Sequence, residues 1–326
     1  MANAREIINR RKAVRNIRKI TKVMQMVATS RYQKAYKRAV ATKPYVRKLS
    51  EMVASVSQSA RASGEALDLP LLREPAGAGR AAVLVITSNR GLAGGYNGNI
   101  LRVAQQTMRA LESAGKTVDL HVSGKKGLAY FRFNKRATAG AYTNIGDKPA
   151  FADIEPLANA FIAQYSNGEI DALKVIYMRF ISVGQQKPHV LDVMPLTLLA
   201  QNSALPGSAA SAPEDGGPGL TSKMAAAMGG AADAAPADPY ARVYMFAPSA
   251  RELLEDLLPA TVRVAIFQAF IDAAVSEQIA RMVAMKAATD NAETMSKLLT
   301  QEYNRARQSQ ITSELAELMG GVEALK

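Results

Sequence analysis

The sequence contains no cysteine and no tryptophan, and only two histidines among 326 residues. Without thiols there is no disulfide framework, no thiolate zinc site, no iron–sulfur cluster and no cysteine nucleophile, a composition that fits a reducing compartment. His121 and His189 lie in or beside apolar runs that read as strands, where a lone histidine is usually packed and not reactive. No H-E-x-x-H helix, G-x-S-x-G elbow or carboxylate cluster at metal-ligand spacing is present. Neither a catalytic residue, a bound cofactor nor a metal is therefore expected on this chain. No apolar run approaches the roughly 20 residues that cross a bilayer, and the first residues are charged where a secretory signal has an apolar core. The expectation is a soluble protein on the cytoplasmic side.

Glycine and proline are also missing, from two long stretches: Met1 to Lys43 and Ala260 to Met319. In the first, Val14, Ile17, Met24, Ala28 and Ala35 return at helical spacing, and helical composition resumes after Pro44, which is expected to kink or break the helix. The second, 60 residues long, allows a helix of about 90 Å. Its four-and-three spacing runs through Met282, Met285, Thr289, Ala292, Leu299, Tyr303 and Ala306, then Ile311, Leu315, Leu318, Val322 and Leu325. Two such helices at opposite ends of a chain satisfy each other's seams if they run antiparallel.

Charge of one sign is almost absent from the first of these. Residues 1 to 50 hold fifteen Lys or Arg against the single acid Glu6, which is +14 of a net charge of +13, so the remaining residues sum to −1. A basic arm therefore sits on a near-neutral body.

Between the two ends the period changes. Ala81–Thr87 is a short β-branched run of the buried-strand type, and Val118–Val122, Leu173–Phe180 and Val190–Met194 are further strand candidates. Helices are expected over about Ile100–Glu112 and Ile154–Ala163, so the middle reads as a small Rossmann-like α/β domain with a largely parallel sheet. Residues 201–239 are dominated by Ala, Gly, Pro and Ser and read as a mobile insertion. Ala241–Phe246 reads as an edge strand, and Pro248 and Ser249 as the start of the last helix. The organisation expected is a coiled-coil helix over 1–62, an α/β domain over 80–246 with that insertion, and a coiled-coil helix over 249–326.

The glycine-rich segment Arg90–Gly98 follows a strand and precedes a helix, where a phosphate loop would sit, but neither the Walker nor the dinucleotide spacing occurs. A tight turn or partner-contact loop is the better reading. The basic arm suits nucleic acid, an anionic membrane or an acidic protein. Aromatic interleaving is sparse, only Tyr32 and Tyr36, and Val23-Met24-Gln25-Met26-Val27 looks built to pack along another helix. A protein partner is preferred; a basic coiled-coil nucleic-acid-binding protein is the alternative, and a nucleotide-binding α/β enzyme with helical arms a third. In the C-terminal run Tyr303–Gln308, Arg and Gln suit directional hydrogen bonds to carboxylates.

Three blocks together resemble one family. Arg18-Lys19-Ile20-Thr21-Lys22-Val23-Met24-Gln25-Met26-Val27-Ala28 is similar to the N-terminal signature of F-type ATP synthase gamma subunits. Ser88 to Asn97 resembles that family's S-D-R-G-L-C-G-G-L-N loop, and Ser276 to Leu315 its C-terminal signature. The resemblance implies a rotor: an antiparallel coiled coil inside a hexamer of alternating alpha and beta subunits, with the α/β domain at the foot beside the epsilon subunit and the c-ring. Rotation would couple proton flow to ATP synthesis in the hexamer, at the cytoplasmic face of the bacterial inner membrane, with membrane association only through the complex.

Carried over by position, the resemblance implies hexamer contacts at Lys22, Met24, Arg90, Ala93, Arg307, Gln308, Thr312, Glu314 and Glu317, and foot contacts with epsilon and the c-ring at Tyr244 and Phe246. Ala93 stands where the family commonly has cysteine, Asn89 where it has aspartate and Ala247 where it often has glutamate. The 201–239 insertion lies about where photosynthetic gamma subunits carry a redox-regulatory segment; lacking cysteine, it is expected to be passive.

Overall fold

The computed structural model of the chain describes residues 4–62, 69–73, 79–196 and 250–323. It opens with α1 (Ala4–Ala62). Then come β1 (Arg80–Ile86), α2 (Tyr96–Ser113), β2 (Thr117–Ser123), α3 (Lys125–Phe133), β3 (Gly140–Tyr142), α4 (Phe151–Ser166), β4 (Ala172–Phe180) and β5 (Gln186–Met194). It closes with α5 (Ala250–Glu323), 74 residues long. The insertion at 201–239, the strand expected at 241–246, and with it Tyr244, Phe246 and Ala247, lie outside the described residues.

The five strands are ordered β3-β2-β1-β4-β5; the first four are parallel and β5 runs back against β4. Strand β1 is buried from Ala81 to Ile86, and its side chains alternate between two cores. Ala82, Leu84 and Ile86 face Ile154, Leu157 and Phe161 of α4 and Leu258, Val262 and Ile266 of α5. Ala81, Val83 and Val85 face Ile100, Ala104 and Met108 of α2 and Phe131 of α3. Helices thus cover both faces, as a strand with no polar side demands. Strand β5 begins four residues before the apolar run that announces it, because its first half, Gln186-Lys187-Pro188-His189, is polar. Pro188 is tolerated because no described strand pairs with the outer side of β5.

Side chains of α1 are buried or half-buried in two series of step seven: Ile7, Val14, Thr21, Ala28, Ala35, Thr42, Leu49 and Val56, and Arg11, Gln25, Tyr32, Ala39, Val46 and Val53, the second interrupted only at the exposed Arg18. That is a heptad seam. Its contacts fix the direction of the partner. Arg11 lies over the Tyr303 ring (5.0 Å), Arg18 pairs with Glu293 (3.0 Å), Thr289 donates to Thr21 (2.8 Å) and Thr42 donates to Gln268 (3.0 Å). Val46 packs on Val264 and Ala265. Each step forward along α1 is matched by a step back along α5, so the helices are antiparallel.

Pro44 does not break α1. An interior proline costs about 3 kcal/mol, and burial of Val46 and Leu49 on the next turn against α5 offsets it. Pro259 likewise stays inside α5. The middle of α5, Thr261 to Ile279, is buried almost all round, against the sheet on one side and α1 on the other. Contrary to the sequence expectation, part of α5 is as apolar as a membrane-crossing helix, but most of that stretch is buried within the protein. A helix buried on nearly every face needs such a double covering.

Candidate functional site

Two bands of the rod hold the residues singled out from sequence. The lower band is a collar where the loop after β1 meets α5. Ser88 donates through its hydroxyl to the Arg90 carbonyl (2.6 Å), and its backbone N–H donates to the Asn97 side chain (3.0 Å). Asn89 donates to the Ile145 carbonyl (2.9 Å) and accepts from the Lys125 N–H (3.0 Å), tying together the loops after β1, β2 and β3. Gly124, at φ +98°, closes this junction: a Cβ there would fall 2.2 Å from the Thr87 carbonyl oxygen. The polar side chains of Ser88, Asn89 and Asn97 are thus spent on holding the loop's shape. Arg90 and Leu92 are exposed, Leu92 at 60% and at positive φ, whereas Ala93 is buried at 3%. The sequence-based contact Ala93 therefore lies beneath the surface, and Leu92 is what the loop offers outward.

Under the loop, α5 buries an unusual polar group. Glu277 and Arg281 pair at 2.6 Å with both side chains 8% exposed, and Arg281 also donates to Gln278 (3.0 Å). Burial pushes the Glu277 carboxyl up, while the Arg281 bond opposes it. Tyr96 donates to the Ala273 carbonyl (3.2 Å), and burial, then the nearby Glu277, hold its phenol well above the ordinary value. Arg31 of α1 reaches Asp147 (2.6 Å) in the loop after β3, a second tie between rod and sheet.

On the rod itself the sequence reading needs correction. Of Val23-Met24-Gln25-Met26-Val27, only Met24 and Gln25 turn toward the seam; Val23, Met26 and Val27 are exposed, as are Ile17 and Ile20. The seam there runs through Arg11, Val14, Thr21 and Gln25, with Arg18 at its exposed edge, while five apolar residues, Ile17, Ile20, Val23, Met26 and Val27, face out. Lys22 is exposed on the same turns.

The upper band is the end of α5. The seam continues through Leu299, Tyr303 and Ala306, which are half-buried, and is not seen beyond them among the described residues. From Arg307 to Gly321 every residue is exposed. Ile311 (43%), Leu315 (55%), Leu318 (68%) and Met319 (71%) therefore do not pair with α1 as expected, and they form a bare apolar stripe. Arg307, Gln308, Thr312, Glu314 and Glu317 all lie on this overhang, about 40–55 Å along the rod from Arg281 at the collar. Thr312 donates to the Gln308 carbonyl (2.9 Å) and Glu314 accepts from Gln310 (2.9 Å).

A profile of the family described as ATP synthase matches residues 3–325. The ATP synthase gamma chain of Rhodopirellula baltica is 39% identical over 326 residues, covering 100% of both chains. The chain belongs to the ATP synthase gamma-chain family. The gamma chain of Frankia casuarinae is 38% identical, covering 98% of this chain and 97% of its own. The fold is shared with a chain of the Euglena gracilis mitochondrial ATP synthase, OSCP/F1/c-ring, rotational state 3 (TM-score 0.59, 21% identity, 99% of this chain and 94% of that one). A chain of that enzyme's rotor in rotational state 1 has a TM-score of 0.56 at 18% identity, covering 94% and 98%. These relatives favour the gamma-chain reading over a nucleic-acid binder. In this gamma-chain fold the two histidines are packing residues: His121 sits edge-on to Phe161 and 3.3 Å from the Tyr142 hydroxyl, and His189 edge-on to Tyr177. Burial lowers the pKa of both.

What sequence reasoning missed is the outward apolar stripe of Ile17, Ile20, Val23, Met26 and Val27. The signal was present: the heptad series through Val14, Thr21 and Ala28 leaves all five off the seam.

Proposed function

We propose that this chain is the central rotor stalk of an F-type ATP synthase, coupling proton flow through the membrane sector to ATP synthesis in the alpha/beta hexamer by rotation. One observation supports this most directly: over Ile17 to Val27 the coiled coil leaves Ile17, Ile20, Val23, Met26 and Val27 facing outward, an apolar stripe unsuited to a lone surface and suited to a surrounding sleeve. The overhang of α5 extends that apolar surface beyond its own partner helix.

On this reading the hexamer touches the collar through Lys22, Met24, Arg90 and Leu92, with Ala93 supporting the loop from below. It touches the tip through Arg307, Gln308, Thr312, Glu314 and Glu317. The exposed cations of α1, among them Lys12, Arg15, Lys19 and Lys22, complement an acidic partner surface. The foot contacts with epsilon and the c-ring at Tyr244 and Phe246 rest on the family resemblance. The chain binds no cofactor and carries no catalytic group of its own, and it sits at the cytoplasmic face of the inner membrane only through the complex.

The test is assembly. Tagged chain should co-purify with alpha, beta and epsilon subunits as an ATPase, and a bead fixed to it should rotate when ATP is supplied. Recovery of the chain with DNA or RNA, released steeply by salt and without ATPase subunits, would overturn the proposal.

A further inference from the structure

A cleft of about 820 Å³ opens between α1 and the loops that follow β1, β2 and β3. It therefore lies outside the carboxyl ends of three parallel strands, the place where open α/β sheets hold their ligands. Its volume falls within the roughly 300–1,000 Å³ of small-molecule sites. Six cations line it: Arg31, Lys34 and Arg38 from one face of α1, and Arg90, Lys125 and Lys148 from the loops. Only Asp147 and Asp153 oppose them, so six positive and two negative charges leave +4. Arg31 is paired with Asp147; among the described residues none of the other five cations has a carboxylate within ion-pair distance.

Five like charges gathered around one concavity repel one another, and low-dielectric walls concentrate their field in the cleft. A compact anion relieves that repulsion. Ser30, Thr143 and Asn144, also in the lining, add hydroxyl and amide groups that have no hydrogen-bond partner among the described residues. No aromatic side chain lines the cleft, so nothing there stacks on a base. A row of linked phosphates carries three to four charges over a few ångströms, matching the net charge, whereas carboxylates on a peptide are more thinly spaced.

We propose that this cleft binds a small polyphosphate anion, free or as the triphosphate tail of a nucleotide, through Lys34, Arg38, Arg90, Lys125 and Lys148. Recognition is by side-chain cations, not by the backbone loop of a nucleotide-hydrolysing enzyme, and no hydrolysis is expected. Because Arg90 belongs to both cleft and collar, an occupied cleft would cancel part of the collar's charge, which makes the site a lever for regulation. The proposal concerns the chain alone and does not depend on its being a rotor.

Calorimetric titration of the full chain with sodium tripolyphosphate, and in parallel with magnesium-free ATP, tests this. A single saturable site is expected, with similar affinity for the two ligands. The triple variant Lys34→Ala/Arg38→Ala/Lys148→Ala should bind at least about tenfold more weakly. The control Arg5→Ala/Arg15→Ala/Lys19→Ala, which removes as many cations from the arm outside the cleft, should bind as the parent does. Circular dichroism establishes that both variants are folded. Equal weakening in both variants, absence of a saturable site, or binding of an oligoglutamate but not of tripolyphosphate would each overturn the proposal.

Discussion

At the scale of single residues, two positions carry constraints that neighbouring chemistry cannot relax. Gly124 holds a positive φ and faces the Thr87 carbonyl at a distance no Cβ can share, and Gly127 three residues later donates its N–H to the Thr87 hydroxyl (3.0 Å). Gly124→Ala is expected to destabilise the fold by at least about 2 kcal/mol, read as a lowered midpoint in urea unfolding. Asp272 is the other. It lies buried in α5, accepting from Gln268 (2.9 Å), beside a Tyr177 hydroxyl that has no hydrogen-bond partner among the described residues. Burial pushes its carboxyl up from 3.8 to about 7, against the Gln268 bond and the charges of Arg179 and Lys43. Because the folded-state value is raised, folding takes up a proton between the two values. Stability should therefore fall as pH rises from about 4 through about 7, by on the order of 4 kcal/mol at most, and then level off. Asp272→Asn keeps the acceptor for Gln268 and removes the titration. Its stability relative to the parent should be greater at pH 8 than at pH 5 in urea unfolding; equal differences at the two pH values would refute the buried-proton account.

At the scale of elements, the long helices were legible because Met1–Lys43 and Ala260–Met319 lack every residue that stops a helix, and β1, β2 and β4 because their apolar runs are short and β-branched. Strand β3 and helix α3 were not: three residues, Gly-Ala-Tyr, carry no period, and Lys125–Phe133 places its apolar side chains too few and too close to show one. Pro44 left two outcomes open because the cost of a proline is local while its compensation, packing of Val46 and Leu49, comes from residues more than two hundred positions away. The collar and tip residues came from resemblance. Periodicity instead misassigned Ile311, Leu315 and Leu318 to the seam, since a stripe facing a helix of the same chain and one facing a different chain have the same spacing. Their exposure makes a prediction. Leu315→Asp/Leu318→Asp should leave the unfolding midpoint of the isolated chain within about 0.5 kcal/mol of the parent, as exposed positions do. The same variant should lower the ATPase activity of the assembled complex. A large loss of stability in the isolated chain would mean that the stripe already has an intramolecular partner.

At the scale of the whole molecule, sheet and rod are one body. The middle of α5 belongs to both, Arg31–Asp147 bridges them, and both faces of β1 are sealed by helices. The natural absence of cysteine makes this testable. Thr21 and Thr289 touch hydroxyl to hydroxyl across the seam, so the variant Thr21→Cys/Thr289→Cys brings two sulfurs within reach of each other. If the helices turn as a unit, oxidising this pair in the assembled enzyme should leave ATP hydrolysis at the rate of the reduced form. A reversible block on oxidation would show instead that the helices slide past each other during turnover.

The overhang of α5 has a mechanical corollary. Below Arg307 the axle is a two-ply rope; above it a single strand continues for about 25 Å. One ply twists and flexes more readily than two, so the stiff part defines the angle and the thin end acts as a compliant pin, able to follow a bearing that is not perfectly centred without passing the misalignment down to the sheet.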